Sequence, residues 1–113
     1  MICIQAKDGL VRIYTRLIAK PSLPEAARRF MVKAETYFNE KNFAKSIEAY
    51  GKLIDVAPWF PPAYFNRAFL EGEEQRNYRA AVADMQTYLK LAPDAKDARE
   101  AQDQIYAWQV KAK

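Results

Sequence analysis

The chain predicts an all-α fold: a right-handed superhelical array of antiparallel helix hairpins, with an N-terminal flanking helix and a C-terminal capping helix. Three observations carry that expectation. First, the chain repeats itself: Phe30, Lys33 and Ala34 recur as Tyr64, Arg67 and Ala68 thirty-four residues on. Phe43, Ser46, Tyr50 and Pro58 recur as Tyr78, Ala81, Met85 and Pro93 thirty-five residues on. A period of that size, with two helical segments per unit, marks stacked helical hairpins. Second, apolar residues keep helical spacing through each segment. Third, only three glycines in 113 residues leave little room for a turn-rich β architecture. A chain of this length is one domain and buries roughly two-thirds of its unfolded surface.

The elements follow in order. Asp8 suits an N-cap, and Leu10, Ile13, Tyr14, Leu17 and Ile18 then form one apolar stripe before Pro21 ends the segment. Arg12, Arg16 and Lys20 stand on another face. Residues 1–23 are therefore expected to be a basic amphipathic helix and a proline linker, packed on the repeats in preference to a membrane surface. Residues 24–113 form the repeat domain, with units at about 24–58 and 59–93 and a capping helix at about 94–112. Pro24 and Glu25 fit a helix start, since proline lacks only an N–H that would go unpaired there and Glu favours the positive end of the dipole. That helix runs to Phe38, turns over Asn39 to Asn42, and returns from Phe43 to Val56, where Pro58 stops it. Its partner buries Phe43, Ile47, Tyr50, Leu53 and Ile54. Trp59 and Phe60 are expected to plug the gap between hairpins. The second unit runs from Pro62 to Leu70, turns over 72–77 and returns from Tyr78 to Leu91. The change of offset places one extra residue between Glu71 and Tyr78, as a longer turn or a helical bulge. Asp94 is expected to cap a last helix with Ala98, Ala101, Ile105, Trp108 and Ala112 on its apolar side.

At these residues the sequence resembles the tetratricopeptide repeat family, whose unit of about thirty-four residues reads W-x2-L-G-x2-Y, then A-x3-F, then P. The matching positions are Phe30, Lys33, Ala34, Tyr37, Ser46, Tyr50 and Pro58, then Tyr64, Arg67, Ala68, Glu71, Ala81, Met85 and Pro93. Lys33 and Arg67 replace the usual Leu, and Glu71 replaces the usual aromatic. The tail from Leu91 to Tyr106 is also similar to the ends of repeat segments in bacterial proteins. The resemblance implies a peptide- or protein-binding concave surface. Some members grip a C-terminal carboxylate with paired Lys and Asn. Met31, Glu35, Phe65 and Phe69 occupy that surface here, so such a grip is not expected.

Composition narrows the function classes. With no His and one Cys, zinc sites, His-based acid–base catalysis and an internal disulfide are set aside. No glycine-rich phosphate loop appears. Glu73 and Glu74 are read as solvated charges in a turn. No cofactor or metal is expected, and the chain reads as a scaffold or adaptor, not an enzyme. The net charge of +4 lies at the front, where Lys7, Arg12, Arg16, Lys20, Arg28, Arg29 and Lys33 face only Asp8 and Glu25. Nucleic-acid or anionic-membrane binding by that segment is the alternative function, a weaker one because no recognition motif accompanies the charge. Met1 to Gln5 offers only Ile-Cys-Ile before Lys7, short of a signal-peptide core or a membrane span. The expectation is a soluble chain with Cys3 as a free thiol; a single Cys leaves the compartment open, with the cytoplasm favoured.

The candidate site lies on the first helices of the units. Arg28, Met31, Glu35 and Phe38, then Phe65 and Phe69, share a face that hairpin closure does not require. Contiguous exposed apolar surface of this kind marks a contact site. Phe65 and Phe69 are the expected anchors, with Arg28 and Glu35 fixing direction. The occupant is a partner's peptide or helix, or the chain's own N-terminal helix. A homodimer joined through that helix is the third arrangement.

Overall fold

The computed structural model describes residues 22–113; the expected N-terminal helix lies outside them. Among the described residues every regular element is helical: α1 Glu25–Asn39, α2 Phe43–Val56, α3 Pro61–Phe69, a π-helical segment Leu70–Glu74, α4 Tyr78–Leu91 and α5 Ala98–Lys111. Helices α1 and α2 form one antiparallel hairpin, α3 and α4 a second, and α5 packs on α4 as the cap.

The two hairpin turns use the same chemistry. Lys41 (φ 61°) and Arg76 (φ 55°) take the left-handed conformation. Each is followed by an asparagine that caps the returning helix, Asn42 accepting from the Lys45 N–H at 3.3 Å and Asn77 from the Ala80 N–H at 3.4 Å. These caps satisfy one of the donors that every helix start leaves open. The turns differ by one residue. The Asn42 N–H reaches back to the Tyr37 carbonyl, whereas the Asn77 N–H reaches the Glu71 carbonyl, one position further. The π-helical segment absorbs that extra residue, as its Gln75 N–H to Leu70 carbonyl bond shows. The thirty-five-residue offset thus has a physical site.

Small residues set the helix approach. Ala34, Ala68 and Ala81 are fully buried, and so is Ser46, whose hydroxyl donates to the Ala34 carbonyl at 2.7 Å. Leu53, Ile54, Met85, Ile105 and Trp108 are the large side chains at the centre. Trp59 plugs the inter-hairpin joint as expected, buried and edge-on to Phe60 at 6.1 Å. Tyr64 fastens that joint by donating its hydroxyl to the Pro58 carbonyl at 2.7 Å. Helix α3 begins with two prolines in its first turn, where their missing N–H groups cost nothing.

Two local expectations are corrected. Asp94 does not cap the last helix, which starts at Ala98 after two short turns. Asp97 stands at the N-cap position but spends its carboxylate on the Tyr88 hydroxyl at 2.6 Å. Burial and that hydrogen bond push the Tyr88 phenol up to about 12, so it stays a donor across the physiological range. Glu73 and Glu74 belong to the π-helical segment, not to a turn, and Glu73 accepts from the Trp108 indole N–H at 3.1 Å.

Candidate partner-binding groove

A cavity of about 460 Å³ opens between the hairpins, lined by Phe38, Tyr50, Phe65, Asn66, Phe69, Leu70, Glu73 and Glu74. Phe38 comes from the last turn of α1 and is 49% exposed, its ring tilted on Phe43 at 5.9 Å. Phe65 and Phe69 stand one turn apart on α3, rings 5.0 Å apart. Phe65 meets Tyr88 edge-on at 5.0 Å, and Phe69 meets Trp108 edge-on at 5.4 Å. Edge-to-face geometry at these separations is favourable beyond the area it buries. The wall is apolar and the rim acidic: among the described residues no Lys or Arg lines the cavity, while Glu73 and Glu74 do. Burial raises the pKa of Tyr50, a hydrogen bond with Asn66 partly opposes this, and the nearby Glu35 charge adds to the rise.

The structure brings together Phe38, Phe65 and Phe69 and leaves the other sequence-derived candidates along α1. Arg28 is exposed and faces Glu25 at 3.9 Å, in a pair too solvated to fix much. Met31 packs partly into the core, and Glu35 is exposed. None of the three lines the cavity. Contrary to expectation, Phe65 and Phe69 also hold the fold, since their rings join α3 to α4 and to the cap. Tyr50, Asn66, Leu70, Glu73 and Glu74 are the lining residues that sequence reasoning passed over. Asn66 adjoins Phe65 on α3, and Glu73 and Glu74 reach the groove from the π-helical segment, where the sequence predicts a turn.

Beneath the second hairpin, the departures from the family pattern answer one another. Arg67 holds Asp84 through two hydrogen bonds of 2.7 Å, from Nε and Nη2. Glu71 sits one turn on, 3.9 Å from Arg67 Nε, with both side chains largely buried. Burial first, then its hydrogen bond to Asp84 and that carboxylate's charge, push Glu71 up to about 9 against the pull of Arg67. Glu71 is therefore held toward its protonated, neutral form at neutral pH. Gly51 leaves space for the guanidinium, whose Nη1 lies 3.6 Å from where a Cβ would stand.

The other end of the array differs in charge. Phe30, Lys33, Tyr37, Lys45, Glu48, Ala49 and Lys52 line a second cavity of about 240 Å³ on the outer side of α1 and α2. Lys33 lies over the Phe30 ring at 5.8 Å and Lys45 over Tyr37 at 5.7 Å. Lys52 pairs with Glu48 at 3.6 Å.

Two stacked antiparallel hairpins, small residues at the crossing points, a terminal cap and a cleft between first helices define a helical-repeat array. Comparison with known proteins narrows the class further: the tetratricopeptide repeat family profile matches residues 34–106. The chain belongs to the tetratricopeptide repeat family. Such repeats generally mediate protein–protein contact and not catalysis. Neither the curated proteins nor the solved structures give a match. Among the described residues no helix is long and apolar enough to cross a membrane.

Proposed function

We propose that the chain is a non-catalytic adaptor that seats the apolar side of a partner's helix or peptide across Phe38, Phe65 and Phe69. The observation that carries this reading is Phe38: a half-exposed ring across a 460 Å³ cavity from the Phe65–Phe69 pair. Each apolar side chain that a ligand buries there contributes about 1.5–3 kcal/mol. Binding also costs translational freedom and side-chain ordering. Three or four such contacts total about 4.5–12 kcal/mol before those costs, so the expected affinity is no tighter than on the order of micromolar, about −8 kcal/mol. Glu73 and Glu74 favour a basic flank on the ligand, while Met31 extends the apolar track along α1.

The test is a peptide-display selection against the full chain, followed by affinity measurements on the selected peptides. Selected sequences should combine large apolar residues at helical spacing with Lys or Arg. They should lose most of their affinity for Phe38→Ser, the variant that removes a cavity wall with least harm to the core. Charge reversal at Glu73 and Glu74 should weaken basic peptides selectively. Peptides indifferent to both changes would overturn the assignment. A log-linear salt dependence steep enough to release several counterions would point instead to nucleic acid at the basic front of the chain.

A further inference from the structure

Resting on that groove, we propose that Trp108 is its positioning residue. The indole of α5 fixes Glu73 and Phe69, so that the groove selects a ligand with a cationic side chain beside a large apolar one. Binding in turn seats α5 more firmly. Trp108 itself does not line the cavity.

One side chain reaches the second-hairpin wall of the groove at three points. The indole N–H donates to Glu73 Oε2 at 3.1 Å. The ring stands edge-on to Phe69 at 5.4 Å. Between those contacts Gly72 presents no side chain, and a Cβ there would fall 2.5 Å from the ring. Phe69, Leu70, Glu73 and Glu74 make up half of the cavity lining, and all but Phe69 belong to the π-helical segment. The indole therefore braces that wall from behind. Helix α5 is seated separately by Ala101 and Ile105, both buried.

The tether has a chemical consequence. A carboxylate offers about four acceptor sites on its two oxygens, and the indole takes one of them, on Oε2. The others stay available to a cation, with the side chain already ordered. Ordering an untethered glutamate at the moment of binding would cost a complex about 2- to 10-fold in affinity. Glu74 shares the rim and is exposed. Among the described residues Glu73 is the groove carboxylate held by a hydrogen bond from another helix. Glu73 follows Phe69 by four residues, and one indole holds both, so a ligand meets a fixed charge at a fixed distance from an aromatic wall. The coupling is reciprocal: what the ligand gains from the seated indole, α5 gains from the ligand.

The test titrates two probes into the isotope-labelled full chain: acetyl-Leu-Phe-Lys-amide, and the same peptide with norleucine in place of lysine. The unaltered chain should bind the lysine peptide more tightly. Trp108→Phe keeps a ring against Phe69 and removes the N–H. It should weaken the lysine peptide by about 2- to 10-fold and the norleucine peptide by less than about twofold. In a Glu73→Gln chain the same Trp108→Phe change should affect both peptides alike, and a selective loss there would overturn the tether. Equal losses for both peptides in the Trp108→Phe chain, or no loss, would overturn the proposal and leave the groove reading intact. If Trp108→Phe does not fold, the unaltered chain decides through its two indole N–H signals, with Trp59 as the internal reference. The Trp108 signal should move with the lysine peptide and hardly with the norleucine one. A Trp108 signal that ignores the bound lysine peptide would overturn the proposal. The groove reading itself fails, and the proposal with it, if neither peptide at millimolar concentration moves the amide signals of Phe38 and Phe69.

Discussion

Replacing Gly72 with alanine adds one methyl group where the second hairpin has no room for it. A Cβ there would fall 2.5 Å from Trp108 Cε2 and 2.7 Å from both Cζ2 and Nε1. Carbon atoms in contact prefer about 3.5–4.0 Å, so the ring must retreat by about 1 Å. Retreat is costly because Trp108 is fully buried, stands edge-on to Phe69 and donates to Glu73. Overpacking of this kind costs about 1–3 kcal/mol. Stretching the indole hydrogen bond to a carboxylate adds a cost of about 1 kcal/mol. Alanine's better helix propensity recovers about 1 kcal/mol at most. The expected net loss is about 1–3 kcal/mol, or on the order of 4–12 °C in Tm for a domain of this size. Gly51→Ala is the matched control. Its Cβ meets Arg67 Nη1 at 3.6 Å, an ordinary contact, so the propensity term of about 0.5–1 kcal/mol should appear as a gain. Urea and thermal unfolding, followed by tryptophan fluorescence and far-ultraviolet circular dichroism, read both variants. A Gly72→Ala chain as stable as the parent, or a Gly51→Ala chain losing as much as Gly72→Ala, would refute the fit described for Trp108.

Three further outcomes are expected. Glu71 is raised from an ordinary 4.5 to about 9. The folded chain therefore keeps a proton that the unfolded chain releases, and this contribution is full below about pH 4.5 and falls by up to about 1.4 kcal/mol per pH unit until about pH 9. Glu71→Gln should flatten that slope and gain on the parent as pH rises; parallel stability profiles of the two chains from pH 5 to 9 would contradict it. Ala68→Leu should destabilise by about 1–3 kcal/mol or more in a melt, because a fully buried crossing point must accept a branched side chain. Lys41→Gly and Arg76→Gly should each stabilise by about 0.5–1 kcal/mol, since both residues hold a left-handed conformation that costs a side chain roughly 1–2 kcal/mol. Equal losses at both turns would show that the lysine and arginine side chains hold the turns by contacts of their own.

The architecture was legible because it is written in short-range spacing. Ala34 and Ala68, Pro58 and Pro93, and the shift from thirty-four to thirty-five are visible to counting alone, and each sits where counting puts it. The last helix was legible as a stripe but not at its start, because Asp94 and Asp97 both resemble caps. What separates them is the Tyr88 hydroxyl, which the fold brings from the preceding helix. The Arg67–Asp84–Glu71 cluster was legible only as two departures from a pattern. The third member lies on another helix, and the carboxyl pair exists only once burial forces a proton onto it. The groove divides in the same way. Phe38, Phe65 and Phe69 follow from helical periodicity, whereas Glu73 and Glu74 lie in a π-helical segment whose spacing no amphipathic pattern encodes.

The socket that Gly72 leaves for Trp108 bears on how this chain could be lengthened. Gly72 is the second-unit counterpart of Phe38, thirty-four residues on. Where the first unit projects a ring toward the cleft, the second leaves a vacancy that the terminal helix fills with an indole. The two hairpins are therefore not interchangeable building blocks. A copy of the second, placed anywhere but last, would carry an unfilled hole and a Glu73 without its donor. The contact between the second hairpin and α5 thus depends on a glycine and a carboxylate that the first hairpin lacks.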